Sequence, residues 1–312
     1  MKKMINNTHI EGLLYQHDLT LKTSGEKSKN PGTEFISGKI EIATDNAGIN
    51  VVPVHFTYVT ATTNSGKTNE TFTTLMNIIN GTHKSVMEHG ADKAVKLRID
   101  SVIGLNEFYT DRSGKEELVS AKRNEGGFVH VTAALDEDEK KRSTFTCDMV
   151  ITNFFVKEAD AEKNLPEKGI VKGAIFNFRG DLLPVEFSVV NPNAIAYFEG
   201  LGISGKEPFC TKVWGRQVSE TLVKQIVEES AFGEASVREV KNSYKDFIIT
   251  GAATSPYEWD SEEFITAAEL KDAMAKREVN LAAIKQRQDE YKASKGNAIP
   301  STPAPAQGAF NF

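Results

Sequence analysis

Ser65-Gly66-Lys67-Thr68 carries the ending of a phosphate-binding loop, in which backbone N–H groups cradle phosphates and the lysine reaches the outer one. That loop needs a glycine five positions before Gly66, and Ala61 stands there. Nucleotide binding by this motif is excluded. No Gly-x-Ser-x-Gly, His-Glu-x-x-His or Cys-x-x-Cys occurs, so hydrolase and zinc-protease signatures are missing. His83 and His89, near a predicted helix end, have no carboxylate motif around them and read as solvated side chains rather than ligands. None of the 43 Asp and Glu residues stands out by context. These residues predict no catalysis, no cofactor and no metal.

The chemistry that remains is aromatic and cationic. With Val171, Gly173 and Ile175 turned inward on one predicted strand, Lys172, Phe176 and Phe178 point the other way, and Arg179 sits at the turn. With Thr211 and Val213 inward on another, Lys212, Trp214 and Arg216 face outward together. Lys39, Lys96 and Arg98 are outward in the first half, with Tyr58, Phe108, Tyr109, Lys122 and Arg123 nearby. Rings interleaved with cations suit single-stranded nucleic acid, because bases stack on rings while phosphates pair with Lys and Arg. The alternative is that Phe176, Phe178 and Trp214 pack under another part of the chain.

Strands must position these side chains. Ile36, Gly38, Ile40 and Ile42 alternate with Ser37, Lys39 and Glu41, and after the turn Asp45-Asn46-Ala47-Gly48 the β-branched run Val51–Val59 pairs back. Pro53 can donate no ladder bond and suggests an edge or bulge. Phe72, Leu75, Met76 and Ile79 predict a helix between Asn69 and Gly81. Val95–Ile99 and then Leu118–Ser120 or Gly127–Val131 follow as strands. With residues 9–60 read as strand, the order strand, strand, strand, helix, strand, strand is that of the OB-fold, a five-stranded Greek-key barrel.

The order recurs. Ile36-Ser37-Gly38-Lys39-Ile40 is echoed by Val171-Lys172-Gly173-Ala174-Ile175, and Val52-Pro53-Val54-His55-Phe56 by Leu183-Pro184-Val185-Glu186-Phe187. A short helix opening at Asn191-Pro192 and strands over Phe209–Gln217 and Val237–Thr250 complete the second copy. The expected fold is mainly β with helices: tandem OB-fold-like barrels over residues 1–140 and 141–260. The charged run Leu135–Arg142 reads as a solvated linker, and residues 219–235 as an insertion containing a helix over Thr221–Ser230. Thr266-Ala267-Ala268-Glu269 fits a capping box opening a long helix over 261–295. Its narrow stripe of Leu270, Met274, Leu281, Ile284 and Tyr291 is interrupted by Arg277 and Gln288. Residues 296–312, rich in Pro and Ala, are expected to be a disordered tail.

The 312 residues carry a net charge of −6, which disfavours coating duplex DNA by charge alone and leaves room for a local basic groove. No stretch approaches the roughly 20 apolar residues of a membrane span, and no apolar run follows the first lysines, so neither insertion nor secretion is expected. Two cysteines, Cys147 and Cys210, fit a reducing cytoplasm.

With its repeated hairpins, Lys and aromatic strands, slightly acidic charge and a tail ending Ala309-Phe310-Asn311-Phe312, the chain resembles the phage-type OB-fold single-stranded DNA-binding proteins over essentially its whole length. The resemblance implies non-enzymatic coating of single strands in replication or recombination, in the host cytoplasm. It also implies docking of partner enzymes through Phe310 and Phe312, with an oligomer possible. The tail departs from the bacterial pattern, since residues 296–312 contain no Asp or Glu. The competing expectation is a β-rich virion or assembly protein whose helix and aromatic faces are oligomer contacts.

Overall fold

The computed structural model describes residues 4–26, 28–63, 65–111, 114–159, 167–203, 209–228 and 236–296. Five strands make the first barrel: β1 (Asn6–His17), β3 (Glu34–Ala43) and β4 (Val51–Thr60), then β5 (Lys96–Thr110) and β6 (Glu117–Val131). The short strand β2 (Thr20–Thr23) adds to the free side of β3. Neighbours run β1–β3–β4–β6–β5 and back to β1, with β4 and β6 parallel and the other pairs antiparallel. Helices α1 (Glu70–Ile79) and α2 (Val86–His89) lie between β4 and β5. Leu75 and Ile78 of α1 plug a core of Ile10, Ile40, Val54, Leu97 and Ile99, so the predicted apolar spacing closes the barrel.

The second barrel repeats this closure with β7 (Ser143–Lys157), β8 (Lys168–Phe176) and β9 (Leu182–Val189), helix α3 (Pro192–Gly200), then β10 (Phe209–Glu228) and β11 (Ser236–Ala252). Neighbours run β7–β8–β9–β11–β10 and back to β7, again with one parallel pair, β9–β11. Phe145, Phe187 and Phe247 meet in its core with ring centroids 5.0 to 6.0 Å apart, and Phe198 of α3 caps it. Gly38 and Gly173, matched in the repeat, both lie in tight strand contacts. A Cβ would fall 2.6 Å from the Asp18 oxygen at the first and 2.1 Å from the Val150 oxygen at the second. This is a tandem OB fold.

The barrels meet along one seam. Asn6 to Ile10 of β1 pair antiparallel with Ser143 to Cys147 of β7, so both barrels belong to one continuous eleven-stranded sheet. Asp148, fully buried in the second barrel, accepts from the Ile5 N–H at 2.6 Å and the Tyr257 hydroxyl at 2.5 Å, tying both ends of the folded body to β7. Asn50 reaches across from the first barrel, donating to the Gln217 carbonyl at 3.2 Å and accepting from the Ser219 N–H at 2.6 Å.

Two local expectations are corrected. Of the helix expected over Thr221–Ser230, the described residues Thr221 to Glu228 are strand: β10 and β11 pair without a break from Gly215↔Ile249 to Val227↔Val237 and Glu228↔Ser236. The helical spacing of apolar residues there yields to a ladder that satisfies every paired backbone group. Within the charged run, Arg142 is buried rather than solvated, donating to the Asp136 carbonyl at 2.6 Å and the Asn46 side chain at 2.8 Å.

The long helix α4 (Ala267–Gly296) opens on the expected capping box: Thr266 N–H donates to Glu269 at 2.8 Å and Glu269 N–H to the Thr266 hydroxyl at 3.2 Å. It docks across both barrels. Leu270 and Ala273 pack against Phe176, Leu182 and Ile265 on the second, while Arg277 pairs with Glu107 and the Gln288 amide takes both backbone groups of Tyr109 on the first.

Candidate nucleic-acid interface

The outer side of β3 and β4 forms a basic groove. A cavity of about 600 Å³ is lined by Lys22, Lys39, His55, Arg123 and Lys245, with Phe35 beside them. The Phe35 and Tyr58 rings lie 4.5 Å apart at its edge, with Tyr58 46% exposed. Glu41 holds the Lys39 ammonium at 2.5 Å, and Glu125 pairs with Arg123. Burial, and behind it the Arg123 and Lys39 charges, pulls the His55 imidazole below its usual value, against the opposing pull of Asp18 and Glu125. The groove runs on through Pro53, His55, Arg123 and Lys245 into a cleft of about 250 Å³ that reaches the second barrel at Gln217, Asp246 and Phe247.

A second groove follows the seam on the outer face of β6, β5, β1, β7 and β10. Register places Phe128, Asp100, His9, Thr144 and Arg216 in one row, and Asn7, Thr146 and Trp214 in the next. Directly paired residues share a face of a sheet. Cavities of about 740 and 580 Å³ follow these rows and share Thr144, Phe145 and Thr146 as floor. Phe178 leans over the first and Lys140 lines the second. The rings stand out: Phe128 is 69% exposed, Phe178 83% and Trp214 41%.

Glycine seats two of these rings. Gly126 and Gly127 take φ of +61° and +108° in a bulge, between Asp100↔Phe128 and Val102↔Glu125, that only glycine enters without strain. A Cβ on Gly127 would strike the Asp100 carbonyl at 2.3 Å, so the backbones touch there and the next residue, Phe128, stands outward. Gly251 lies under Trp214, where a Cβ would fall 2.4 Å from Nε1 and 2.5 Å from Cε2. The indole rests on bare backbone.

The sequence-derived candidates divide among these surfaces. Lys39, Tyr58 and Arg123 meet at the basic groove; Phe178, Trp214 and Arg216 meet at the seam. Arg179 stacks on Phe178 at 5.1 Å. Lys96 and Arg98 continue the outward side of β5, with Lys96 donating to the Ala133 carbonyl and Arg98 3.5 Å from Asp100. Lys172 pairs with Glu186 at 3.1 Å on the second barrel, and Lys212 is half-buried opposite Asp148.

Phe176 and Lys122 are corrections. Phe176 has the expected parity but is only 7% exposed, because the chain from Tyr257 to Ala273 folds over that side of β8. Lys122 leaves the first barrel outward, straight into the second: it donates to the Glu186 carbonyl and lies 5.2 and 5.4 Å from the Phe187 and Phe247 ring centres. Burial pulls its ammonium below the usual lysine value. Phe310 and Phe312 lie outside the described residues.

Sequence reasoning missed Lys22, Phe35, His55, Lys245, Phe128 and Lys140. The Gly126-Gly127 pair before Phe128 was the available signal, since paired glycines in a strand mark a bulge that redirects a side chain. Among the described residues no three His, Cys, Asp or Glu side chains converge to hold a metal ion.

Two closed five-stranded barrels sharing a seam, one flank basic and the other lined with rings, define a tandem OB-fold protein with extended surface grooves. The chain belongs to the YorF family, whose family model matches residues 4–289. Among solved structures it is similar to a deletion mutant of the single-stranded DNA binding protein from Thermus aquaticus, with 10% identity and a TM-score of 0.43 over 82% of this chain and 96% of that one. No curated protein matches it.

Proposed function

We propose that this chain is a non-enzymatic, sequence-tolerant single-stranded DNA-binding protein, acting in phage or mobile-element replication or recombination in the host cytoplasm. The observation that carries the reading is the basic groove: Lys22, Lys39, Arg123 and Lys245 converge on one open face of a chain whose net charge is −6. Phosphates pair with such cations, and the Phe35–Tyr58 ring pair at the edge offers a stacking surface to unpaired bases. The assembly-protein reading has less of the helix to use, because Leu270, Arg277 and Gln288 of α4 are engaged within the chain with Phe176, Glu107 and Tyr109.

The test is anisotropy of labelled oligo-dT, duplex DNA and RNA across a salt series. If the four cations each neutralise one phosphate, log K against log salt has a slope of about −2.8, roughly a 50-fold loss from 50 to 200 mM salt. Lys22→Glu/Lys39→Glu should weaken binding and flatten the slope. Equal affinity for duplex and single strand, or no binding at low salt, refutes the proposal.

A further inference from the structure

The seam groove shares no lining residue with the basic groove on β3 and β4, and the reading above leaves it unused. Its rings are held ready. Trp214 has one face closed by the Gly251 backbone and remains 41% exposed, so the indole presents a fixed, open face. The Gly126-Gly127 bulge turns Phe128 out at the far end of the adjoining row, and Phe178, backed by the Arg179 guanidinium, leans over the cavity between them. A ring seated as Trp214 is stacks on a flat partner with little entropy to lose.

Charge selects the partner. Lys140 and Arg216 line the same cavity as Trp214, and Arg179 stands beside Phe178. The carboxylates Asp100 and Glu125 lie towards the Phe128 end, with Asp100 already accepting from His9 at 3.0 Å and Glu125 paired with Arg123. An occupant with flat apolar faces and anionic links fits this order: rings take the faces and the cations take the links. Single-stranded nucleic acid repeats both at every nucleotide. A duplex would keep its bases stacked on each other and out of reach of the rings.

We infer that the β1–β7 seam is a second binding site for single-stranded nucleic acid, with bases stacked on Trp214, Phe178 and Phe128 and phosphates on the Lys140 and Arg216 side. The site borrows from the proposed function only its ligand class; its residues are its own. One chain then holds two strand segments in separate grooves.

The experiment uses the full chain carrying Trp259→Phe, which leaves Trp214 as the only indole, since the sequence has two tryptophans and Trp259 is 80% exposed. The probe is a dT oligomer of about 8 nucleotides, within the range one barrel covers. Trp214 emission should be quenched on titration, and equally so in the Lys22→Glu/Lys39→Glu background. Phe128→Ala and Phe178→Ala should each weaken the quenching isotherm by roughly 5- to 150-fold and leave the salt-sensitive anisotropy signal of the basic groove in place. Unmoved Trp214 emission while the oligomer binds by anisotropy overturns the seam site. So does quenching that vanishes with the basic-groove charges. Quenching that persists while the Lys22/Lys39 variant binds as tightly as wild type supports the seam and refutes the basic groove instead. No binding by either signal refutes both.

Discussion

The anchor of α4 on the first barrel can be removed one atom set at a time. Arg277 and Glu107 form a two-bond pair, Nη1 to Oε2 at 3.0 Å with Nη2 on Oε1, and their side chains are 14% and 10% exposed. Losing one member strands a nearly dry charge, which costs about 3–5 kcal/mol, and the residual exposure puts this pair near 3. Losing both removes the attraction and the stranded charge together, so Arg277→Met/Glu107→Leu should cost less than about 1 kcal/mol, since the replacements fill similar volume. The cycle therefore predicts singles far worse than the double. The other polar anchors cannot mask this. Lys276 with Asp181 and Lys285 with Glu116 are solvent-screened pairs that contribute little, and the Gln288 bonds to Tyr109 are about 1 kcal/mol each. Urea denaturation gives the global cost, and hydrogen exchange of the α4 amides shows whether the helix opens before the barrels do. Additive single effects, or α4 protection untouched by Arg277→Met, would refute the docking argument.

Tyr257→Phe should cost about 1.5–3 kcal/mol at neutral pH, because it removes a donor to the buried Asp148 carboxylate. Burial and then Asp148 push the Tyr257 phenol above its usual 10.0, so the unfolded chain releases this proton first and stability falls as pH rises above about 10; the variant, measured by thermal melts across pH, should lack that component. Phe187→Ala should lose about 3–5 kcal/mol by denaturation, since its fully buried ring packs on Phe145 and Phe247. Gly215→Ala should destabilise by about 1–3 kcal/mol or more, its Cβ meeting the Ile248 carbonyl at 1.9 Å and Phe145 at 2.8 Å. Lys122→Met should leave oligo-dT affinity unchanged, because that side chain is engaged with Glu186, Phe187 and Phe247; a several-fold loss would return it to the interface.

The barrels were legible because the repeat constrains itself: Gly38 with Gly173 and Pro53 with Pro184 fall at matched places on the second and third strands of each barrel. Strand β7 was missed although Phe145, Cys147, Met149 and Ile151 alternate with Thr146, Asp148 and Val150 and enter the second core, because the repeat was read from the hairpin that follows it. The β10–β11 pair was misread because Val223, Ile226 and Val227 have helical spacing and their ladder partners lie later in the chain, from Val237 onward. Outward parity held for Phe176, and Lys122, expected only near the outward cations, leaves the first barrel outward; yet outside one strand or one barrel proved to be inside the molecule, and the segments that cover them are distant in sequence. Arg277 and Gln288 looked like defects in an apolar stripe; they are the contacts that fix α4 to Glu107 and Tyr109. Patterns within a strand are local, whereas the partner of a polar residue is not.

The pairing of β1 with β7 joins the first strand of one barrel to the first strand of its twin, antiparallel and centred near Thr8 and Phe145. That is the arrangement two identical subunits adopt across a twofold axis, each offering the same edge to the other. Carried on one polypeptide, the contact no longer depends on concentration: a pair of separate barrels would come apart on dilution, and these cannot. Identical subunits must also change both copies of a surface at once. Here the halves are free to diverge, and they have: the outer side of β3 and β4 is an open basic groove, while that of β8 is covered at Phe176 by the chain running into α4.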